Sequence, residues 1–310
     1  MAVRGRVAFL VPTVGGIVLL GLGVAMASAP VEAAPGAPVE SHVRNTTTET
    51  SLSYGPSTLQ TVSVFSGPSP NGSAVVLVHG GGFRSSVNDA KKLAINARSL
   101  VAYGDTVFDV NYRSDVDGVG IADQVADVVA GSQLAIVEAP SFGADTDRLS
   151  VIGGSSGGLL AADAAEELND IAPHTVQTVV TLSGTADFTT ALAYWETVVG
   201  PPGQVHIKDL TGTLGCTVVT VKHVKTYDCP APLEAQYSPD QQVTPTNCAN
   251  QWLILNGTDE VQPTSQAVAM DGALVAQGCP QTLDVFTDTA HSYDYWSAEL
   301  KDIQAAVAAA

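Results

Sequence analysis

The chain reads as an α/β protein, a mostly parallel sheet with helices on both faces and a cap inserted late in the fold. Three observations carry this reading. Short β-rich runs alternate with helical stretches of ten or more residues from about residue 59 onward, the pattern of repeated βαβ units. Glycine clusters fall directly after two of the apolar runs, where such sheets place their chemistry. One segment, about 187–247, breaks the rhythm, and irregular insertions of that length usually carry function.

The opening stretch, "MAVRGRVAFLVPTVGGIVLLGLGVAMASAP", has Arg4 and Arg6, then a long apolar run, then small residues. It reads as a secretory signal over residues 1–27, with cleavage sites conceivable up to Ala34. If it stays uncleaved it becomes a membrane anchor, the one membrane association expected. Residues 28–58, rich in Pro, Ala, Thr and Ser, read as a linker or arm, and 59–310 as one catalytic domain. Within it, "LQTVSVFS", "SAVVLVHGG", "TVFDVNYR", "RLSVIGG", "TVQTVVTLSG", "QWLILNG" and "QTLDVFTD" read as strands. Helices are expected in "VNDAKKLAINARSLVAYG", "IADQVADVVAGSQLAIVEA", "GLLAADAAEELND", "TSQAVAMDGALVAQG" and the C-terminal "SYDYWSAELKDIQAAVAAA". The break at 187–247 is expected to lie above the carboxyl edge of the sheet as a cap.

The chemistry gathers at three strand ends. "VIGGSSGGLL" satisfies G-x-S-x-G in two frames, one centred on Ser155 and one on Ser156. With a strand before it and a helix after it, the segment has the context of a nucleophile elbow. A phosphate-binding loop is the weaker reading, because neither Gly-Lys-Ser/Thr nor G-x-G-x-x-G is present. "HGGGF", His79 to Phe83, follows another strand. Its bare glycine N–H groups at Gly81 and Gly82, with the N–H of the residue after the nucleophile, can form an oxyanion hole. "LILNGTDEVQP" brings Asp259 after a later strand, and "DVFTDTAHSY" brings His291 after the next. A serine hydroxyl needs a neutral imidazole to take its proton and a carboxylate to fix that imidazole's tautomer. Asp259 is the expected carboxylate, with Glu260 and Asp288 as reserves. The other histidines sit in the arm, the Gly loop, the wrong end of a strand or the cap.

At these residues the sequence resembles the hormone-sensitive-lipase-like and BD-FAE-like esterase branch of the α/β-hydrolases. "HGGGF", "VFDVNYR", "FGADTDRLSVIGGSSGG", "NGTDEVQP" and "AHSY" each resemble a family motif, and the resemblance spans about 59–300 apart from most of the cap. It lays Gly153–Gly158 over Gly-Asp-Ser-Ala-Gly-Gly, which implies Ser155 as nucleophile and Ser156 as the third oxyanion donor beside Gly81 and Gly82. Gly154 departs from the family, which usually has an acid or histidine there. The implied activity is a carboxylesterase on small or medium acyl esters, working through an acyl-enzyme without a cofactor. A lipase or peptidase on the same triad, or a silent binding protein on the scaffold, are the rivals.

Composition bounds the partners. The formal charge is −18, with 13 Lys and Arg against 31 Asp and Glu. Nucleic acid is thereby disfavoured, because phosphate binding needs clustered cations. No C-x-x-C or H-x-x-x-H spacing occurs, so no metal is expected. The partner expected is a small-molecule ester. The four cysteines, Cys216, Cys229, Cys248 and Cys279, suggest two disulfides in an exported chain. Cys248 and Cys279 lie four residues before Trp252 and Leu283 on successive strands. Neighbouring parallel strands with matched offsets would bring the two together. Cys216 and Cys229 then close a cap loop, a constraint of about 3 kcal/mol by chain entropy.

Overall fold

In the computed structural model, residues 6–7, 47–84, 91–221 and 224–310 are described. The expected signal segment and most of the arm lie outside them, save Arg6–Val7. The strands are β1 (Arg6–Val7), β2 (Thr48–Ser53), β3 (Thr61–Ser66), β4 (Ala74–Val78), β5 (Thr106–Asn111), β6 (Leu149–Gly154), β7 (Thr178–Leu182), β8 (Thr217–Val221), β9 (Val224–Asp228), β10 (Gln251–Gly257) and β11 (Gln281–Phe286). The helices are α1 (Ala94–Val101), α2 (Ile121–Glu138), α3 (Ser156–Ile171), α4 (Phe188–Thr197), α5 (Pro201–Thr213), α6 (Ala231–Gln236), α7 (Pro239–Gln242), α8 (Thr264–Gln277) and α9 (Trp296–Ala308).

One sheet runs in the order β1-β11-β10-β7-β6-β4-β5-β3-β2. From β5 to β11 all neighbours are parallel, while β3, β2 and the two-residue β1 add antiparallel edges. The central strands carry apolar side chains on both faces, as a sheet covered on both sides requires. In β4, Ala74, Val76 and Val78 enter one core with α2, α3 and α8. Val75 and Leu77 enter the other, with α1 and α9. The period of two thus sorts one five-residue strand between two cores.

The arm expected over 28–58 is not all arm: Thr48–Ser53 pairs residue for residue with Thr61–Ser66. Thr48–Ser53 is exposed and polar, and alternation of apolar residues, the sequence signal of a half-buried strand, is missing there.

Cys216 bonds Cys229 and Cys248 bonds Cys279. β10 and β11 are neighbours, but Trp252 lies opposite Gln281 and Ile254 opposite Leu283, so the offsets of the two cysteines are not matched. The chain turns at 245–247 and bends at Asn250 before β10. Cys248 meets Cys279 there, with Cα atoms 5.7 Å apart. The bridge lies at the amino ends of the strands, opposite the residues described next. The segment between β7 and β10 holds α4 to α7 and the separate β8–β9 hairpin. No helix among the described residues is long and apolar enough to cross a membrane.

Candidate active site

Strand β6 ends at Gly154 and α3 begins at Ser156, which leaves Ser155 alone in the turn. Its φ is +58° and its ψ −127°, a conformation that L-residues avoid and that persists only where the surroundings enforce it. The Ser155 N–H donates to the Leu182 carbonyl at 2.8 Å, and the Ser155 carbonyl accepts from Gly158 at 2.9 Å. The glycines around it are close approaches. A Cβ at Gly157 would collide with the carbonyls of Val78 and His79 where α3 meets β4. A Cβ at Gly154 would strike Ser292 Oγ and come within 2.7 Å of Tyr293 Cε2. The departure at Gly154 therefore has a steric cause: Tyr293 fills the space beside the elbow. Its hydroxyl donates to the Val78 carbonyl at 2.9 Å, with the Ile152 carbonyl 3.5 Å away.

The Gly loop after β4 is anchored at its first residue. The His79 ring stacks on Tyr112 at 4.3 Å, and the Tyr112 hydroxyl donates to the His79 carbonyl at 2.8 Å. Arg113, the next residue, forms a two-pronged ion pair with buried Asp127 at 2.7 and 2.8 Å. "NYR" thus closes β5 and holds the Gly loop in place. Gly81 and Gly82 adopt φ of +126° and +64°, and both line one cavity with Ser155, Ser156 and His291.

The acid differs from expectation. Glu260, not Asp259, holds His291: Glu260 Oε2 lies 2.5 Å from His291 Nδ1. Glu260 Oε1 accepts from the Ser183 hydroxyl and from the Gly257 N–H, both at 2.7 Å. Ser183 Oγ in turn accepts from the Ser292 N–H at 3.0 Å and lies 2.8 Å from the Tyr295 hydroxyl. The Glu260 side chain is fully buried, whereas Asp259 is exposed and takes its bond from the Thr258 hydroxyl at 3.1 Å. The reason is reach. The turn after β10 carries Glu260 past the strand end, and the longer glutamate folds back to the Gly257 N–H. Asp288 accepts from the N–H groups of Thr289 and Ala290 and so shapes the loop before His291.

The cavity over Ser155 measures about 460 Å³. The inserted segment contributes Trp195, His206, Asp209 and Leu210 to its wall. Sequence reasoning placed His206 in the cap without a role and passed over Asp209; the i, i+3 spacing on one helix was the available signal. His206 stacks on Trp195 at 4.0 Å, and burial, with His291 nearby, lowers its pKa. A Cβ at Gly82 would sit 2.6 Å from the Asp209 carboxylate, so this acid lies against the Gly loop. Burial pushes Asp209 up to about 6, although Arg84, 3.6 Å away, pulls it down.

The sheet order, the elbow and this site define an α/β-hydrolase fold. Residues 66–270 match the BD-FAE family, and the chain belongs to it. No curated protein matches the chain in sequence. Among solved structures it is similar to a bacterial heroin esterase, at 18% identity over 85% of this chain and 83% of that one, with a TM-score of 0.67. A thermostable carboxylesterase from a metagenomic library, EstE1, matches at 18% identity over 84% and 87%, with a TM-score of 0.66. An acetyl ester-xyloside bifunctional hydrolase from Caldicellulosiruptor lactoaceticus matches at 17% identity over 80% and 85%, with a TM-score of 0.58. The resemblance is thus to hydrolases of the esterase and lipase class.

Proposed function

We propose that this protein is an exported serine carboxylesterase acting on esters of small or medium acyl groups, and that Ser155, His291 and Glu260 are its triad. The observation that carries the reading is the 2.5 Å contact between His291 and a fully buried Glu260, behind a cavity that His291 shares with the strained Ser155. Glu260 accepts a hydrogen bond from the Nδ1–H of His291, which leaves Nε2 unprotonated and free to act as base. Nε2 takes the hydroxyl proton as Ser155 Oγ bonds to the ester carbonyl carbon, and the carbonyl π electrons move onto oxygen. The backbone N–H groups of Gly81, Gly82 and Ser156 stabilise that oxyanion. When the C–O bond to the alcohol breaks, the imidazolium returns its proton to the leaving oxygen. Water, deprotonated by the same imidazole, then releases the acid from Ser155. The cavity volume of about 460 Å³ suits a short acyl chain with a modest alcohol. Export rests on residues 1–27 and on the two disulfides.

A fluorophosphonate probe followed by peptide mapping tests this. A single adduct on Ser155, formed more slowly while an excess of a short p-nitrophenyl ester is present with the probe, is expected. Folded protein that takes up no probe would instead favour a binding role.

A further inference from the structure

The Gly loop is held by a side chain outside the triad. Gly82 and Phe83 both adopt positive φ, +64° and +62°. They are the central residues of a tight turn, closed by the Arg84 N–H donating to the Gly81 carbonyl at 3.2 Å. Phe83 is buried, and a bulky side chain keeps this conformation only where its surroundings enforce it. Its carbonyl accepts two bonds, from the Asp115 N–H at 3.0 Å and from Nε2 of Gln124 at 3.2 Å. Gln124, near the start of α2, is fully buried. The same Nε2 donates to the hydroxyl of Thr213, the last residue of α5, at 3.0 Å. Gln124 Oε1 has no hydrogen-bond partner among the described residues, so only the donor end of this amide is used.

These bonds link planar peptide groups in series. In a trans peptide the C=O and the N–H lie in one plane and point in opposite directions. Gln124 and Asp115 fix the Phe83 carbonyl, and with it the Arg84 N–H of the same peptide group. That N–H fixes the Gly81 carbonyl, and with it the Gly82 N–H across the next planar bond. The Gly82 N–H is one of the donors assigned above to the oxyanion. We propose that Gln124 is a positioning residue for the oxyanion hole: through these peptide groups it sets the direction of the Gly82 N–H, and Thr213 of the inserted segment anchors its amide. The inference rests on the esterase reading. A buried amide oxygen without a partner costs stability, and a methionine of similar length would not bear that cost. The donors are what only the amide supplies, which separates positioning from packing.

Gln124→Met and Thr213→Val are compared with the wild type on a short p-nitrophenyl ester and on an alkyl trifluoromethyl ketone, with active sites counted by phosphonate titration. Ser155 Oγ bonds to the ketone carbonyl carbon, the hydroxyl proton passes to His291, and the carbonyl oxygen takes the negative charge. The adduct therefore needs the oxyanion hole as the transition state does. Removing an oxyanion donor outright costs about 10²–10³-fold in kcat, and a donor turned out of line costs less. Gln124→Met should lower kcat per site roughly 5–30-fold with KM within about twofold. It should weaken the ketone by a matching factor and melt within about 3 °C of the wild type. Thr213→Val, which leaves the Phe83 bond in place, should lower kcat about two- to fivefold in the same manner; it decides alone if Gln124→Met does not fold. Unchanged kcat and ketone affinity in either folded variant, a loss carried by KM alone, or a loss that vanishes when counted per titrated site would each overturn the proposal. A wild type inert to both ester and ketone would overturn the esterase reading along with it.

Discussion

Glu260 and Glu166 both have buried side chains, and they are held in opposite ways. At the carboxyl edge of the sheet, Glu260 has both oxygens engaged by Ser183, Gly257 and His291. On α3, Glu166 has neither oxygen engaged. The first region is built from strand ends whose parallel register brings distant residues to one line: Leu255 of β10, Leu182 of β7 and Gly154 of β6 lie at the same level. The groups there are fixed by neighbouring backbone and side chains together. The second is a gap between helices, where no hydrogen-bond donor among the described residues reaches the carboxylates of Asp163 and Glu166. A preorganised network fixes geometry for chemistry; an unsatisfied buried group costs stability and fixes nothing.

That contrast can be broken first at the elbow. Ser155→Ala should lower kcat by about 10⁴-fold or more on a short p-nitrophenyl ester, and Ser156→Ala by less than about tenfold, because its contribution is a backbone N–H. Equal losses in steady-state assays would mean that the frame is misassigned. The next effect down sits behind the acid. Ser183→Ala removes a donor to Glu260 and the acceptor of the Ser292 N–H. A hydrogen bond to a charged group contributes about 1.5–3 kcal/mol, so kcat should fall by about 10–100-fold with KM nearly constant; Ser183→Thr should recover part of it. An unchanged kcat would show that the network behind Glu260 is dispensable.

The smallest effect sharpens the comparison within the cavity itself. Asp209 lies against the Gly loop and titrates at about 6. Its charged form opposes the oxyanion, so Asp209→Asn should raise kcat/KM for a neutral ester two- to fivefold near pH 7.5 and have little effect near pH 5. Its folded pKa is raised above the ordinary value of 3.8. The native state therefore binds the proton more tightly than the unfolded chain, and stability falls as pH rises from about 4 to 6. The variant should melt above the wild type at pH 7, with the gap closing near pH 4, as thermal scans across that range would show.

Much of this molecule was legible in the chain, because the signals were local. The strand β4, "AVVLV", sits between turn residues, and G-x-S-x-G needs only the strand before it and the helix after it to be recognised. Glu260 was harder. Two acids stand side by side in "TDEVQ", and which one faces His291 depends on a turn conformation and on one extra methylene. The edge strand Thr48–Ser53 had no apolar alternation to reveal it, and its pairing with β3 comes from a hairpin register. The gap beside α3 was hidden for the same reason as the contribution of Asp209: it appears only when the inserted segment folds back over the core.

The account turns on which acid holds His291, and a paired substitution measures this directly. Steady-state kinetics of Glu260→Gln and Asp259→Asn on the same short-chain ester, in the same buffer, should separate them widely. Glu260→Gln should lower kcat on the order of 10³–10⁴-fold by costing His291 its tautomer, while Asp259→Asn, altering an exposed side chain, should stay within about threefold of the wild type. A large loss in Asp259→Asn beside a mild one in Glu260→Gln would contradict the arrangement and return the role to the shorter acid.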